Sequence, residues 1–137
     1  MAEQASGWDW VGLNLFDGRS LMAFRIRRHP AGDVWRSGNW RDPVGRTTPD
    51  EPHFEPLRHW RSPRTGVVYP VAQRIRLASG AALLLQPLLD DQEIDARAST
   101  GTLYWEGAVR VFDERAPGAE IGRGYLELTG YGEPIRL

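Results

Sequence analysis

Neither cysteine nor lysine occurs anywhere in this 137-residue chain, and all 17 basic residues are arginine. The first absence excludes disulfides and thiol chemistry and leaves the compartment undecided. The second removes Schiff-base and lysine-base mechanisms. The formal net charge is only −1, so there is no bulk attraction to nucleic acid or to an anionic membrane surface. The longest apolar run, AALLLQPLL, is far short of the roughly 20 residues a membrane-spanning helix needs. The N-terminus, MAEQASGWDW, lacks the charged-then-apolar pattern of a secretory signal. As written the chain is expected to be cytoplasmic; it would be periplasmic or secreted if the true start lies upstream.

What is present points to β structure. Helical spacing is scarce, while short alternating runs recur between Gly, Pro, Asp and Ser clusters. WDWVGLNLF (8–16) and RSLMAFRIR (19–27) flank Asp17-Gly18, a two-residue hairpin signal in which both turn residues need positive φ. That turn sets Leu13 opposite Met22, Val11 opposite Phe24 and Trp10 opposite Arg25. One face then carries Val11, Leu13, Leu15, Met22, Phe24 and Ile26. The other carries Trp8, Trp10, Asn14 and Phe16 with Arg25 and Arg27, so that Trp8/Arg27 and Trp10/Arg25 could stack as cation–π pairs.

Further strands are expected over 33–41, broken by Gly38; over 53–60, pushed toward an edge or bulge by Pro56; and over 67–77 and 81–89, paired around Ala78-Ser79-Gly80. That pair shares an apolar face of Val71, Ile75 and Leu77 with Leu83, Leu85 and Leu89. Residues 42–52 read as a loop, and 90–101 as an acidic connector with room for one helical turn. TLYWEGAVRVF (102–112) and EIGRGYLELTGY (120–131) form a last hairpin. Eight strands joined mostly by tight turns suit a single domain over 1–137: an antiparallel up-and-down β-barrel whose interior holds side chains or one small ligand. A two-sheet sandwich is the alternative.

Several stretches resemble a known family. GWDWVGLNLFDGRSLMAFRIR, WRSPRTGVVYPVAQRIRL, PLLDDQEI, STGTLYWEGAVRV and GRGYLELTGYG are similar, in that order, to the C-terminal half of the AttH and carotenoid 1,2-hydratase (CrtC-type) proteins, and closer to the AttH-like branch, whose members are named as secreted hydrolases. The resemblance implies a lipocalin-like barrel, no metal or organic cofactor, and action on small hydrophobic, isoprenoid-like molecules by hydratase- or hydrolase-type chemistry. It also implies a partner barrel, because the family usually pairs two such domains in one polypeptide. The N-terminal domain and a short His-Glu-Trp-like segment before GWDW have no counterpart in these 137 residues. Three expectations follow: an isolated C-terminal domain, a true start further upstream, or a stand-alone form; the expected partner is a second lipocalin-like domain upstream or a homodimer partner.

The chemistry-bearing candidates lie in the last hairpin. If it closes symmetrically about residues 116–117, Glu106 lies across from Glu127, Ala108 across from Tyr125, Arg110 across from Arg123, and Tyr104 across from Thr129. Two carboxylates at cross-strand distance inside a cavity cannot both ionise cheaply. One could then protonate an alkene or leaving group while the other activates water. Glu106 and Glu127 are therefore the candidate acid and base. Trp8, Trp10, Asn14, Tyr104 and Tyr125 are the candidate wall, either of a ligand site or of a surface meeting a second barrel. The competing reading follows from hydropathy: Trp105, Val109, Val111, Leu126 and Leu128 make the more apolar face and should point inward, sending both glutamates outward. A non-catalytic module binding a hydrophobic ligand is the alternative function. His53, Glu55 and His59 share one side of a strand but lack a metal-site spacing. Asp90, Asp91, Glu93 and Asp95 lack the glycine and spacing of a calcium loop. No Gly-x-Ser-x-Gly elbow supports a hydrolase triad.

Overall fold

The computed structural model describes residues 5–133, and among them every regular element is a strand. In chain order these are β1 (Ala5–Leu15), β2 (Ser20–Arg28), β3 (Asp33–Arg41), β4 (Thr47–Pro49), β5 (Pro52–Arg61), β6 (Val68–Leu77), β7 (Ala82–Pro87), β8 (Glu93–Ala96), β9 (Thr102–Asp113) and β10 (Ala116–Thr129). All pair antiparallel in one sheet with the order β4-β3-β2-β1-β10-β9-β7-β6-β5, and β8 pairs β9 off that path. Read round the ring this is an up-and-down meander. The first and last long strands join it, and the ladder opens between β4 and β5, which follow one another in the chain. The opening is partly bridged: Asp50 N–H donates to the Gly38 carbonyl at 2.9 Å and Ala78 N–H to that of Glu51 at 2.9 Å. Gly38 does not break β3. A Cβ there would lie 2.3 Å from the Asp50 carbonyl oxygen, so its bare backbone is what lets the returning chain approach.

The two strands beyond the expected eight are short. β4 extends β3's edge within the segment read as loop. β8 lies within the acidic connector: β7 covers β9 from Val109 to Asp113, and β8 covers it from Thr102 to Trp105, so the two act as one interrupted strand. A single helical-type turn follows β8, where Thr100 N–H donates to the Ala96 carbonyl four residues back at 2.8 Å. Pro56 behaves as expected, since β5 is an edge strand whose register shifts between Pro56 and Arg58 and again before Trp60. Leu89, placed on the apolar face by alternation, is exposed instead, because β7 ends at Pro87.

The first hairpin departs from its expected register by one residue. Leu13 pairs with Leu21, Gly12 with Met22, Val11 with Ala23 and Trp10 with Phe24. The loop has three residues, with Leu15 N–H donating to the Arg19 carbonyl and Gly18 N–H to that of Leu15. Only Gly18 takes positive φ, at 93°; Asp17 keeps negative φ and its carboxylate accepts from Arg19 N–H. This is a turn closed by a left-handed glycine, one residue longer than the Asp-Gly type I′ turn. Gly80 (φ 101°) closes the β6–β7 hairpin with the same bonds. Since side chains alternate, a one-residue slip reverses the faces of the whole second strand. Leu21 and Ala23 are buried, while Met22 is exposed. Arg25 and Arg27 point inward, away from Trp10 and Trp8. Their guanidiniums lie over Phe54 at 5.7 Å and Tyr131 at 3.8 Å.

The interior is graded from end to end. Along β1, Val11, Leu13 and Leu15 face the apolar half of the core with Leu21, Ala23, Phe54, Ile75, Leu77, Leu83, Leu85 and Val111. Each large aliphatic group buried there contributes about 1.5–3 kcal/mol of transfer free energy. Toward the other end the same face of β1 presents Asp9, fully buried, and then Gly7. Tyr69 and Trp105 are fully buried as well. The Trp105 indole N–H donates to the Asp90 carbonyl at 2.8 Å, which satisfies its polar edge, and its ring crosses Gly107, where a Cβ would sit 2.5 Å from it.

Candidate functional site

The last hairpin closes in the expected register. Glu127 pairs with Glu106, Tyr125 with Ala108, Arg123 with Arg110 and Thr129 with Tyr104. The irregularity needed to join the strands is confined to the turn end, between Ala116 and Gly122. Trp105, Gly107, Val109 and Val111 are buried with Leu126 and Leu128. Both glutamates therefore lie half-buried on the outer face of the sheet, not in the barrel interior.

The β1–β10 ladder brings the candidate wall to the same face. Trp10 pairs with Glu127, Gly12 with Tyr125 and Asn14 with Arg123. One row across the sheet thus reads Glu106, Glu127, Trp10, Phe24, and the next reads Ala108, Tyr125, Gly12, Met22. Trp8 donates its indole N–H to Glu127 Oε1 at 2.6 Å, and its backbone N–H donates to the Thr129 hydroxyl. The Trp10 ring folds over Gly12, where a Cβ would lie 2.7 Å from it. A depression of about 540 Å³ results, with Trp10, Asn14, Met22, Glu106 and Tyr125 around it. Tyr104 stands beside Glu106's row, between Thr129 on β10 and Ile94 on β8. Met22 (45% exposed), Trp35 (59%) and Tyr125 (54%) continue the apolar character of this face.

A second polar constellation, inside the barrel, is absent from the sequence-based expectations. Asp9 Oδ2 accepts from Arg25 Nε at 2.7 Å, and Oδ1 from Arg27 Nη1 at 2.7 Å and the Tyr131 hydroxyl at 2.8 Å. Arg25 also donates to Asp33, and Arg27 to the Thr129 carbonyl. Burial lowers the affinity of the Arg25 guanidinium for its proton, but Asp9 and Tyr131 outweigh it and push its pKa up. Burial and the Asp9 charge push the Tyr131 hydroxyl well above the usual phenol range. The signal was legible: Asp9 shares the phase of Val11, Leu13 and Leu15, and a buried carboxylate requires cationic partners.

The acidic connector is tied down residue by residue. Asp90 pairs with Arg58, Asp91 with Arg64 and Asp95 with Arg97. The Glu93 side chain is 1% exposed and accepts from Ser62 Oγ, Thr65 Oγ1 and the Tyr69 hydroxyl. His53 meets Arg36, and Glu55 accepts from Arg74 and Arg76. Among the described residues no group of three or more His, Asp or Glu side chains could hold a metal ion, and no helix is long and apolar enough to cross a membrane.

A nearly closed antiparallel meander with side chains filling its centre defines a lipocalin-like β-barrel. Comparison with known proteins places it more narrowly. The AttH-like family model matches residues 1–131, and the chain belongs to that family. It is 47% identical to a solved candidate AttH from Nitrosomonas europaea, with a TM-score of 0.85 over 93% of this chain and 40% of that one. Kievitone hydratase from Nectria haematococca, 19% identical, shares the fold with a TM-score of 0.73 over 94% of this chain and 40% of its own. The chain thus spans about two fifths of the length of either solved structure. No match was found among curated proteins.

Proposed function

We propose that this chain is a lipocalin-like domain that handles a small hydrophobic, isoprenoid-like molecule on the outer face of β1, β9 and β10, and that Glu106 and Glu127 act there as acid and base in the addition of water to a carbon–carbon double bond. The observation that carries the reading is the cross-strand pairing of Glu127 with Glu106, which itself lines a depression walled by Trp10 and Tyr125. Glu106, which opens onto the depression, is the proton donor. It transfers H⁺ to one alkene carbon and leaves a cationic centre on the other. Glu127, oriented by the Trp8 indole N–H, takes a proton from water as the water oxygen bonds that centre. The alkene gains H and OH, and one proton has passed from Glu106 to Glu127, so return of that proton restores the pair. Kievitone hydratase is named for a hydration, and that name lends support by analogy alone.

Acid chemistry of this kind needs a drier site than an open sheet face. We assign the cover to a second lipocalin-like domain upstream in the full-length protein. Two facts favour it: the exposed Met22, Trp35 and Tyr125 on this face, and the two-fifths coverage of both solved relatives. The test has two arms. Titration of the full-length protein with farnesol and with retinol should quench tryptophan fluorescence saturably, and Trp10→Ala should abolish the effect. Incubation with isoprenoid alkenes in ¹⁸O-water should place label in an alcohol product, and Glu106→Gln or Glu127→Gln should lose it. A flat titration removes the ligand reading; full labelling by both glutamine variants removes the catalytic one.

A further inference from the structure

The inward constellation around Asp9 opens to solvent at one end of the barrel through a pocket of about 360 Å³, within the range that holds a small ligand. Its lining includes Arg25, Arg27, Arg28, His29, His59 and Tyr131, and no carboxylate lies among the described lining residues. Asp9 is fully buried with both oxygens engaged by two guanidiniums and a phenol. Asp9 and Asp33 together face the two guanidiniums, each of which carries five N–H donors in a fixed fork. The bonds from Arg27 to Asp9 and Thr129 and from Arg25 to Asp9 and Asp33 use two nitrogens of each guanidinium, and both side chains line the pocket. The Tyr131 ring, 3.8 Å from the Arg27 guanidinium carbon, holds that fork in place. The histidines stand at the exposed rim. Three arginines and two histidines thus line a pocket with no carboxylate among its described lining residues, a composition suited to oxyanions, which guanidinium forks bind bidentately.

We propose that this barrel mouth binds an oxyanion, the carboxylate or phosphate group of a small organic ligand, with Arg25 and Arg27 at its floor and Arg28, His29 and His59 at its rim. The site lies inside the barrel and is independent of the outer face that carries Glu106 and Glu127.

Three histidines occur in the chain; His29 and His59 line the pocket, whereas His53 lies outside it against Arg36. Proton–carbon NMR of the imidazoles can therefore report binding without any substitution. At constant ionic strength in chloride, titration with benzoate or with inorganic phosphate should shift the His29 and His59 resonances saturably and leave His53 in place. Neutral benzyl alcohol should move none of them. Saturation by benzoate alone assigns a carboxylate ligand, and saturation by phosphate alone a phosphorylated one. The Arg28→Ala/His59→Ala variant changes only rim groups and should weaken calorimetric affinity at least tenfold, whereas Arg110→Ala on the outer face should leave it unchanged. No saturable shift beyond the chloride background, or equal movement of all three histidines, would overturn the proposal.

Discussion

Trp8 on β1 donates its indole N–H to Glu127 on β10, 119 positions along the chain, at 2.6 Å. The bond crosses the junction of the first and last long strands, so it fastens the seam of the barrel as well as orienting the carboxylate. Trp8→Phe keeps most of the ring and removes the donor. We expect a loss of about 1–2 kcal/mol, read as a lower urea midpoint at unchanged m-value.

Asp9 makes a larger contribution. Asp9→Ala leaves Arg25 and Arg27, whose side chains are 15% and 12% exposed, facing each other without their shared counter-charge. Breaking a buried ion pair from one side costs about 3–5 kcal/mol. Equilibrium denaturation should show a loss in that range, and a change under 1 kcal/mol would contradict the buried network.

The face assignment of β2 can be tested by two neighbouring truncations. Leu21 is 1% exposed and Met22 45% exposed. Leu21→Ala should cost about 2–5 kcal/mol, and Met22→Ala under about 1 kcal/mol. The opposite ranking would restore the two-residue Asp17-Gly18 turn.

Acid sensitivity should centre on Glu93. Burial pushes its carboxyl up, but hydrogen bonds from Ser62, Thr65 and Tyr69, with Arg64 nearby, outweigh it and hold the pKa below the ordinary glutamate range. A depressed folded pKa means that the unfolded chain takes up the proton first. Glu93 therefore stabilises the fold fully above about pH 5 and loses that contribution as pH falls through and below the ordinary value near 4.3. Glu93→Gln should lower the melting temperature at pH 7, and the gap to wild type should narrow steadily toward pH 3. A gap that widens in acid would reverse the sign.

Two hairpins show what could and could not be read from residues alone. In β9–β10 the match of Trp105, Val109 and Val111 with Leu126 and Leu128 sets which faces turn inward, and symmetric closure about residues 116–117 supplies the register that puts Glu106 opposite Glu127. In β1–β2 hydropathy could not arbitrate, because β2 is apolar on both faces: Leu21 and Ala23 on one, Met22, Phe24 and Ile26 on the other. The turn was left to decide, and Asp-Gly serves two loops that differ by one residue. The two-residue turn sends Arg25 and Arg27 outward, whereas the three-residue loop turns both inward onto Asp9.

The residue pattern by itself determined the strand class, the antiparallel meander and the edge position of the strand that carries Pro56, since these follow from alternation and short-range turn chemistry; it put Glu106 opposite Glu127 only on the condition that the last hairpin closes symmetrically. Only the tertiary arrangement decided which of two apolar faces of β2 turns inward, that Asp9 is bound by two guanidiniums, and that Trp8 meets Glu127. Trp8–Glu127 and Tyr131–Asp9 join segments more than 100 positions apart, while the Asp9 bonds to Arg25 and Arg27 lie within the first hairpin; in both, packing and the satisfaction of buried charge choose among registers that are locally equivalent.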